Sequence, residues 1–145
     1  MKIYSYCILV FILIASSSCG DNRNSQIFKP SKSKTQFADS TYFSWTWNIH
    51  AYEDFFFFGD YDNGRIIKLD ENLRKVNQFG RQGKGPGEFN GAGAVYVHND
   101  TIYAYDDAGS RFHTYSSDGK YISTVNTERM DMISRFFVKD NKYYI

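Results

Sequence analysis

The stretch Phe79–Phe89, with the sequence FGRQGKGPGEF, lies between two aromatic-rich segments. It holds four glycines and one proline within eight positions. Glycine allows backbone conformations with positive φ, whereas proline fixes φ and lacks an amide donor, so this stretch is not the interior of a helix or a strand. Pro86-Gly87 suits the two central positions of a type II turn. The stretch therefore predicts a structured connection between two β units.

The composition of the chain favours an all-β fold. Aromatic residues make up 19% of its 145 residues, and no run has the i, i+3, i+4, i+7 apolar spacing of an amphipathic helix. This length predicts one domain. The formal net charge is +1, with acidic and basic residues interspersed. Because this pattern lacks the basic surface that nucleic acid requires, no nucleic-acid partner is expected.

The first twenty residues have the layout of a secretory signal. Lys2 precedes the apolar run Ile8–Ile14, and small residues then lead to Cys19. The apolar run is shorter than the roughly 20 residues that span a bilayer. Small residues ending at a cysteine resemble a bacterial lipobox, although Ser16 stands where leucine is commonest. This resemblance implies a signal peptide over residues 1–18 and lipid modification of Cys19.

Acylation of Cys19 would anchor the chain in the outer membrane of a bacterial cell envelope, on its periplasmic or its surface side. Residues 19–41 are polar and are predicted to form a flexible tether. The alternative interpretations of the N-terminal segment are an ordinary cleaved signal peptide and an uncleaved membrane anchor. Cys7 and Cys19 are the two cysteines of the sequence, so processing at Cys19 leaves no intrachain disulfide.

A repeat of 46 residues runs through the rest of the chain. Tyr103–Asp106 falls on Phe57–Asp60, and Arg111–Tyr115 falls on Arg65–Leu69. In both copies an aspartate ends one strand-like segment and an arginine begins the next. A third copy, shifted by 41 residues, begins at Arg135. Repeats of this length, each with four short strands, are typical of β-propeller blades.

We therefore predict an all-β fold of four-stranded antiparallel propeller blades, with about two and a half blades within residues 42–145. The blades are expected at about 42–79, 80–125 and, incomplete, 126–145. Polar and aromatic residues alternate over Tyr42–Ile49, which predicts a half-buried strand there.

Propellers have about four to eight blades and repeat arrays need closed or capped ends. The chain is therefore expected to be the N-terminal part of a longer product, or a truncated one. A small self-contained β-sandwich is the alternative fold.

The glycine-rich stretch and the progression Ile102-Tyr103, Asp106, Arg111, Tyr115 and Asp118-Gly119-Lys120 resemble NHL-type and other six-bladed propellers. The resemblance covers about Phe55 to Ile145. We expect structural roles for two sets of residues. The inter-blade loop set is Gly83, Gly85, Pro86, Gly87 and Phe89, and the repeat-turn set is Asp60, Arg65, Asp106, Arg111, Asp118 and Gly119.

The same resemblance implies a membrane-anchored extracytoplasmic binding or scaffold module for a protein or glycan ligand. No cofactor and no catalytic residue are assigned, and the oligomeric state is left open. The alternative is a fragment of a gluconolactonase-like hydrolase, a family in which Glu, Asn and Asp hold a central calcium ion. The sequence offers no place for such a set, so a binding module is the preferred interpretation.

Two motifs that invite a chemical interpretation fail on individual residues. Gly80–Gly85 has the spacing of a phosphate-binding loop, but Pro86 stands where that loop needs lysine. Asp60–Glu71 has the length of a calcium-binding loop, but Arg65 replaces the glycine of its sixth position. Both segments are therefore predicted to be turns, and no metal site is expected.

The remaining candidates are scattered aromatic and imidazole side chains. Trp45 and Trp47 lie at strand spacing and are interpreted as blade core, with stacking on a sugar ring as the alternative. His50, His98 and His113 have no carboxylate at metal-ligand spacing, so they are interpreted as surface or packing residues.

Overall fold

The structure is a computed structural model, and it describes residues 30–33, 36–39, 42–130 and 132–145. The predicted signal peptide and Cys19 lie outside the described residues. All strands belong to one compact unit, Ser31–Ile145. Within the described residues, every regular element is a β-strand.

The first sheet is a meander of four antiparallel strands. These are β1 (His50–Tyr52), β2 (Phe55–Asp60), β3 (Arg65–Asp70) and β4 (Lys75–Phe79). Each strand pairs with the next along the chain, in the order β1-β2-β3-β4. Aromatic and β-branched residues in β2 and β3 suit a pleated surface that is covered on both faces, and the last four residues of β2 are all buried.

The second sheet repeats this arrangement, and a two-stranded sheet follows it. The second sheet has the order β5-β6-β7-β8, and the small sheet pairs β9 with β10. The strands are β5 (Ala92–His98), β6 (Thr101–Asp106), β7 (Arg111–Ser116), β8 (Tyr121–Asn126), β9 (Phe137–Lys139) and β10 (Lys142–Tyr144).

The pairing register repeats with the period of the sequence. Phe58 pairs with Ile67 in the first sheet, and Ala104 pairs with His113 in the second, 46 residues later in each strand. The pairing of β9 with β10 follows that of β5 with β6 at an offset of 41 residues. The predicted all-β fold of four-stranded antiparallel blades is confirmed, with two complete sheets and a small third one.

The strand predicted over Tyr42–Ile49 is wrong, because the first strand begins at His50. Polar side chains of this segment instead anchor it to its neighbours. Asn48 Nδ2 donates to the carbonyl oxygen of Val95, and Asn48 Oδ1 accepts from the amide of Val95, both at 3.0 Å. The alternation in the sequence therefore reflects side-chain anchoring to β5 rather than pairing in a sheet.

The first two sheets pack face to face and share one hydrophobic core. Its buried residues are Phe57, Ile66, Phe79, Phe89, Ala92, Val95, Val97, Ile102, Ala104 and Tyr115. They come from both sheets and from the connection between them. Burial of apolar surface stabilises a fold by about 25 cal/mol per Å², so this shared core is what holds one blade against the next.

A second core joins the second sheet to the small third sheet. Its buried residues are Ala94, Tyr105, Phe112, Ile133, Phe136 and Val138. The Phe112 ring lies 4.9 Å from that of Phe136 and 4.3 Å from that of Tyr143, measured between centroids. The packing between the first two blades is thus repeated between the second blade and the small third sheet.

Part of the predicted tether packs against the first sheet. Phe37 is only 4% exposed, and it joins a cluster with Phe58, Ile67 and Leu69. Its ring centroid lies 5.9 Å from that of Phe43. Phe37 is an apolar residue within a polar segment, and the sheet face offers it a place, so flexibility does not extend through all of residues 19–41.

Gly59→Ala is expected to lower the free energy of unfolding by about 1–3 kcal/mol, the usual cost of overpacking. At Gly59 an added Cβ would lie 2.2 Å from the carbonyl oxygen of Ala92 and 2.3 Å from that of Gly93. Both atoms belong to the backbone of β5, so the two blades would have to separate. Urea unfolding followed by circular dichroism measures the change.

Gly85→Ala is the matched control for this substitution. The nearest atoms to its Cβ belong to the Glu88 carboxyl group, at 3.0 Å or more. A small shift of this side chain relieves such a contact, whereas the 2.2 Å approach at Gly59 requires the backbone to move, so we expect a clearly smaller loss. Equal losses for the two variants would contradict a close approach of the blades at Gly59.

Candidate functional site

Both complete sheets carry their functional candidates at the same end. The turn 61–64 joins β2 to β3, the turn 107–110 joins β6 to β7, and the connection 80–91 joins β4 to β5. In each sheet these strand ends pair with one another, so all three segments lie at one end of the strands. We call this the loop end. Loops that a rigid scaffold holds in place are where binding residues concentrate in proteins.

A buried ion pair organises the loop end of the first blade. Asp60 Oδ2 accepts from Arg65 Nε at 2.7 Å, and Asp60 Oδ1 accepts from the amide and hydroxyl of Ser44 at 2.7 and 2.9 Å. Arg65 also donates to the carbonyl oxygen of Tyr42 at 2.9 Å. The pair therefore fixes the segment that leads into β1.

The second blade has the same pair 46 residues later. Asp106 Oδ2 accepts from Arg111 Nε at 2.9 Å, and Asp106 Oδ1 accepts from the amides of Asn90 and Gly91 at 2.9 and 3.0 Å. Arg111 donates to the carbonyl oxygen of Glu88 at 2.9 Å. The bonds from Arg111 and from the Asn90 amide match those from Arg65 and from the Ser44 amide, while the Gly91 amide takes the place of the Ser44 hydroxyl. Both carboxylates are fully buried, so these groups hold loops in place.

The glycine-rich connection closes on itself through backbone hydrogen bonds. The amide of Gly83 donates to the carbonyl oxygen of Phe89 at 3.0 Å, and that of Glu88 donates to Gly85 at 3.1 Å. Gly87, after Pro86, has a φ of 71°, which gives the type II turn expected from the sequence.

The Glu88 side chain braces the same connection. Hydrogen bonding from the amide of Gly85, followed by the bond from Arg81, lowers the pKa of the Glu88 carboxyl below its usual value. Its carboxylate is therefore a fixed part of the loop.

Asp118 and Gly119 lie at the opposite end of the second blade, in the turn between β7 and β8. The amide of Gly119 donates to the carbonyl oxygen of Ser116 at 2.8 Å, and Gly119 has a φ of 87°. Ser116 Oγ donates to Asp118 Oδ1, and this bond lowers the pKa of the Asp118 carboxyl. This turn packs against the first blade, because a Cβ on Gly119 would lie 2.8 Å from Cδ1 of Phe79, and Asn77 Nδ2 donates to the carbonyl oxygen of Asp118 at 2.9 Å.

The most prominent feature of the loop end is a cluster of three aromatic rings, Trp45, Trp47 and Tyr61. The centroid distances are 5.1 Å between the two tryptophans, 6.2 Å from Trp45 to Tyr61 and 5.9 Å from Trp47 to Tyr61. Trp47 and Tyr61 are partly buried, whereas Trp45 is 56% exposed. The interpretation of Trp45 as blade core is therefore wrong, because more than half of this residue is exposed to solvent.

One glycine of the second blade makes room for this cluster. A Cβ on Gly91 would lie 2.7 Å from Cζ of Tyr61, which is too close, whereas one on Gly93 would be in ordinary contact with Cδ1 of Trp47, at 3.7 Å. The 46-residue shift places Gly91 on Trp45 and Gly93 on Trp47. The blade fold therefore does not require tryptophan at these positions, and this was the signal in the sequence that could have revealed the cluster.

A cavity of about 440 Å³ opens beside Tyr61. Its lining includes Tyr61, Asp107, Ser110, Arg129, Met130 and Met132. The Tyr61 hydroxyl donates to Asp107 Oδ2 at 3.1 Å. Burial and then this hydrogen bond raise the pKa of Tyr61, so the phenol stays protonated. No sequence pattern marks Tyr61, Asp107 or Arg129 as residues of a candidate site, because they meet only in the fold.

A second cavity, of about 480 Å³, lies along the first strands of the two blades. It is lined in part by Trp47, His50, Tyr96, Arg135 and Phe136. Trp47 thus contributes to this cavity and also to the aromatic cluster.

Two of the histidines, His50 and His113, serve packing, whereas His98 is exposed at the end of β5. The fully buried ring of His113 lies 4.8 Å from that of Phe89 and its Nδ1 lies 2.8 Å from Thr124 Oγ1. Burial, chiefly, lowers the pKa of His113, so it is neutral at pH 7. His50 Nε2 lies 3.1 Å from the carbonyl oxygen of Val97, and burial also lowers its pKa.

The described part of the chain contains no group of three or more His, Cys, Asp or Glu side chains placed to hold a metal ion. It also contains no helix that is long and apolar enough to cross a membrane.

Comparison with known proteins places the chain in a family. A family model described as DUF5128, 6-bladed beta-propeller, matches residues 35–145. A crystal structure of a protein from Bacteroides fragilis NCTC 9343 that is classed as exported matches at 25% identity with a TM-score of 0.56. The match covers 64% of this chain and 27% of that protein, so the chain spans about a quarter of its length. No curated protein matches the chain. The chain therefore belongs to the 6-bladed beta-propeller family DUF5128.

Proposed function

We propose that this chain is part of an extracytoplasmic, lipid-anchored β-propeller that binds a protein or glycan ligand at its loop end. The exposed indole of Trp45 carries this proposal. Its ring packs against Tyr61, which lines the cavity of about 440 Å³, and an exposed ring next to a cavity-lining residue is more typical of a binding site than of a blade interior. Nothing else in the repeat requires it, because glycine occupies the same position of the next blade.

The extracytoplasmic location is supported by two independent observations. The first residues have the layout of a secretory signal that ends at Cys19. The Bacteroides fragilis protein with the same fold is classed as exported. Attachment to the outer membrane through acylated Cys19 is the arrangement that fits both observations.

Cys19→Ala is expected to move the protein from the membrane fraction to other fractions of a Gram-negative host. Each buried acyl CH₂ contributes about 0.8 kcal/mol to membrane binding, and more than one chain makes the anchoring stable. Fractionation and labelling with radioactive palmitate measure the change, with Cys7→Ala as the matched control. Unchanged fractionation and continued labelling of the Cys19 variant would rule out this anchor.

Ligand binding is tested by tryptophan fluorescence. The sequence contains two tryptophans, Trp45 and Trp47, so the emission of the full chain reports on the aromatic cluster alone. We expect protein or polysaccharide fractions of the cell envelope to shift this emission in a saturable manner. If neither fraction changes the emission, the loop end is not the binding site.

A further inference from the structure

The aromatic cluster is held rigidly enough to act as a platform. Tyr61 and Trp47 meet the Trp45 ring at interplanar angles of 86° and 50°, so two rings brace it, while Trp45 itself remains 56% exposed. The backbone ties the same residues together, because the amide of Tyr61 donates to the carbonyl oxygen of Trp45 at 3.1 Å. A preorganised ring loses little entropy when a ligand stacks on it.

The groups around the platform are hydrogen-bond acceptors of negative charge. Asp107 Oδ2 accepts from the Tyr61 hydroxyl at 3.1 Å. Asp62 follows Tyr61 in the same turn, and its amide donates to Oγ of Ser44, the residue before Trp45, at 3.0 Å. Carboxylate oxygens accept from hydroxyl groups, so Asp62 and Asp107 place two acceptors beside the platform.

The size of the site favours a small polar ligand over a protein surface. A stable protein interface buries about 1,200–2,000 Å² and has an apolar centre, whereas this site offers one open indole within polar surroundings. The neighbouring cavity of about 440 Å³ falls within the range of about 300–1,000 Å³ that small-ligand sites occupy. A pyranose ring has an apolar C–H face for the indole and hydroxyl groups for the carboxylates.

We propose that the loop end binds a neutral glycan. A hexose ring stacks on Trp45, and the sugar hydroxyls donate hydrogen bonds to the carboxylates of Asp62 and Asp107. This inference rests on the proposed binding function and narrows its ligand to one chemical class. Uronic and sialic acids bind less well, because their carboxylates meet those of Asp62 and Asp107. Arg129 also lines the cavity, but one guanidinium does not balance two carboxylates.

The first experiment compares ligand classes on the full chain, purified in detergent. The chain is applied to a printed array of neutral oligosaccharides, to the same backbones bearing uronic or sialic acid, and to a peptide array. The expected result is binding to neutral oligosaccharides in preference to the acidic ones. Binding to acidic sugars alone overturns the inference.

The second experiment tests the platform by isothermal titration calorimetry with the strongest neutral oligosaccharide on the array. Trp45→Ala is expected to weaken binding by about tenfold or more, as expected for an aromatic anchor, and Trp45→Tyr to weaken it less because a ring remains. Tyr42→Ala is the matched control, since Tyr42 is 63% exposed and outside the cluster. Circular dichroism verifies that each variant is folded.

The outcomes of these experiments distinguish a failure of the glycan inference from a failure of the proposed binding function. Binding to peptides that is lost in Trp45→Ala, with no glycan bound, overturns the glycan inference and supports a protein ligand at the same site. Glycan binding that survives Trp45→Ala and Trp45→Tyr unchanged overturns the platform. Binding to none of the three arrays overturns both proposals.

Discussion

Asp106→Ala is expected to lower the free energy of unfolding by about 3–5 kcal/mol, the cost of removing one partner of a buried ion pair. The carboxylate accepts hydrogen bonds from Arg111 Nε and from the amides of Asn90, Gly91 and Gly109, at 2.9 to 3.2 Å. Alanine leaves the buried guanidinium without its counter-ion and three amides without an acceptor. Each unsatisfied buried donor adds to the loss.

Chemical unfolding of the full chain by urea, followed by circular dichroism, measures this effect. Asp106→Asn keeps one acceptor oxygen and is expected to be less destabilising than Asp106→Ala. Asp62→Ala is the control, because this exposed aspartate lies in the neighbouring loop and is expected to change stability by no more than about 0.5 kcal/mol. A loss for Asp106→Ala as small as that for Asp62→Ala would show that the pair is not what holds the connection.

Positions that recur in the sequence could be predicted because the same physical constraint acts on them in every blade. Asp60 and Asp106, with Arg65 and Arg111, hold the segment before the first strand of each blade through matching hydrogen bonds. A buried carboxylate tolerates few substitutes, so its spacing survives in the sequence. The blade architecture was therefore predictable from a period of 46 residues.

Residues that break the repeat could not be interpreted from the sequence alone. Trp45 and Trp47 have the spacing of a strand, yet Asn48 bonds to the backbone of Val95, and this segment lies outside the sheets. The Trp45 ring packs against Tyr61, which comes from a different segment of the chain. Such contacts between distant segments have no local signature, and they make up most of the candidate site.

Phe89→Ala is expected to lower the free energy of unfolding by about 3–5 kcal/mol, as for other large buried aromatic residues. Phe89 is fully buried in the core shared by the first two blades, with its ring 4.8 Å from that of His113 and 6.1 Å from that of Tyr115. Gly80 lies so close that a Cβ there would be 2.6 Å from Phe89 Cε2. The fit on every side means that alanine would leave a cavity.

Phe137→Ala is the control for residue type, because Phe137 is 49% exposed on β9 and is expected to cost much less. Similar urea midpoints for the two variants would contradict a role of Phe89 in joining the blades.

The double variant Phe89→Ala with Asp106→Ala shows whether these two residues stabilise the same connection or act separately. Asp106 binds the amides of Asn90 and Gly91, immediately after Phe89, so both substitutions release the same connection. The loss for the double variant should therefore be smaller than the sum of the two single losses. A loss equal to that sum would mean that the ring and the carboxylate stabilise the blades independently.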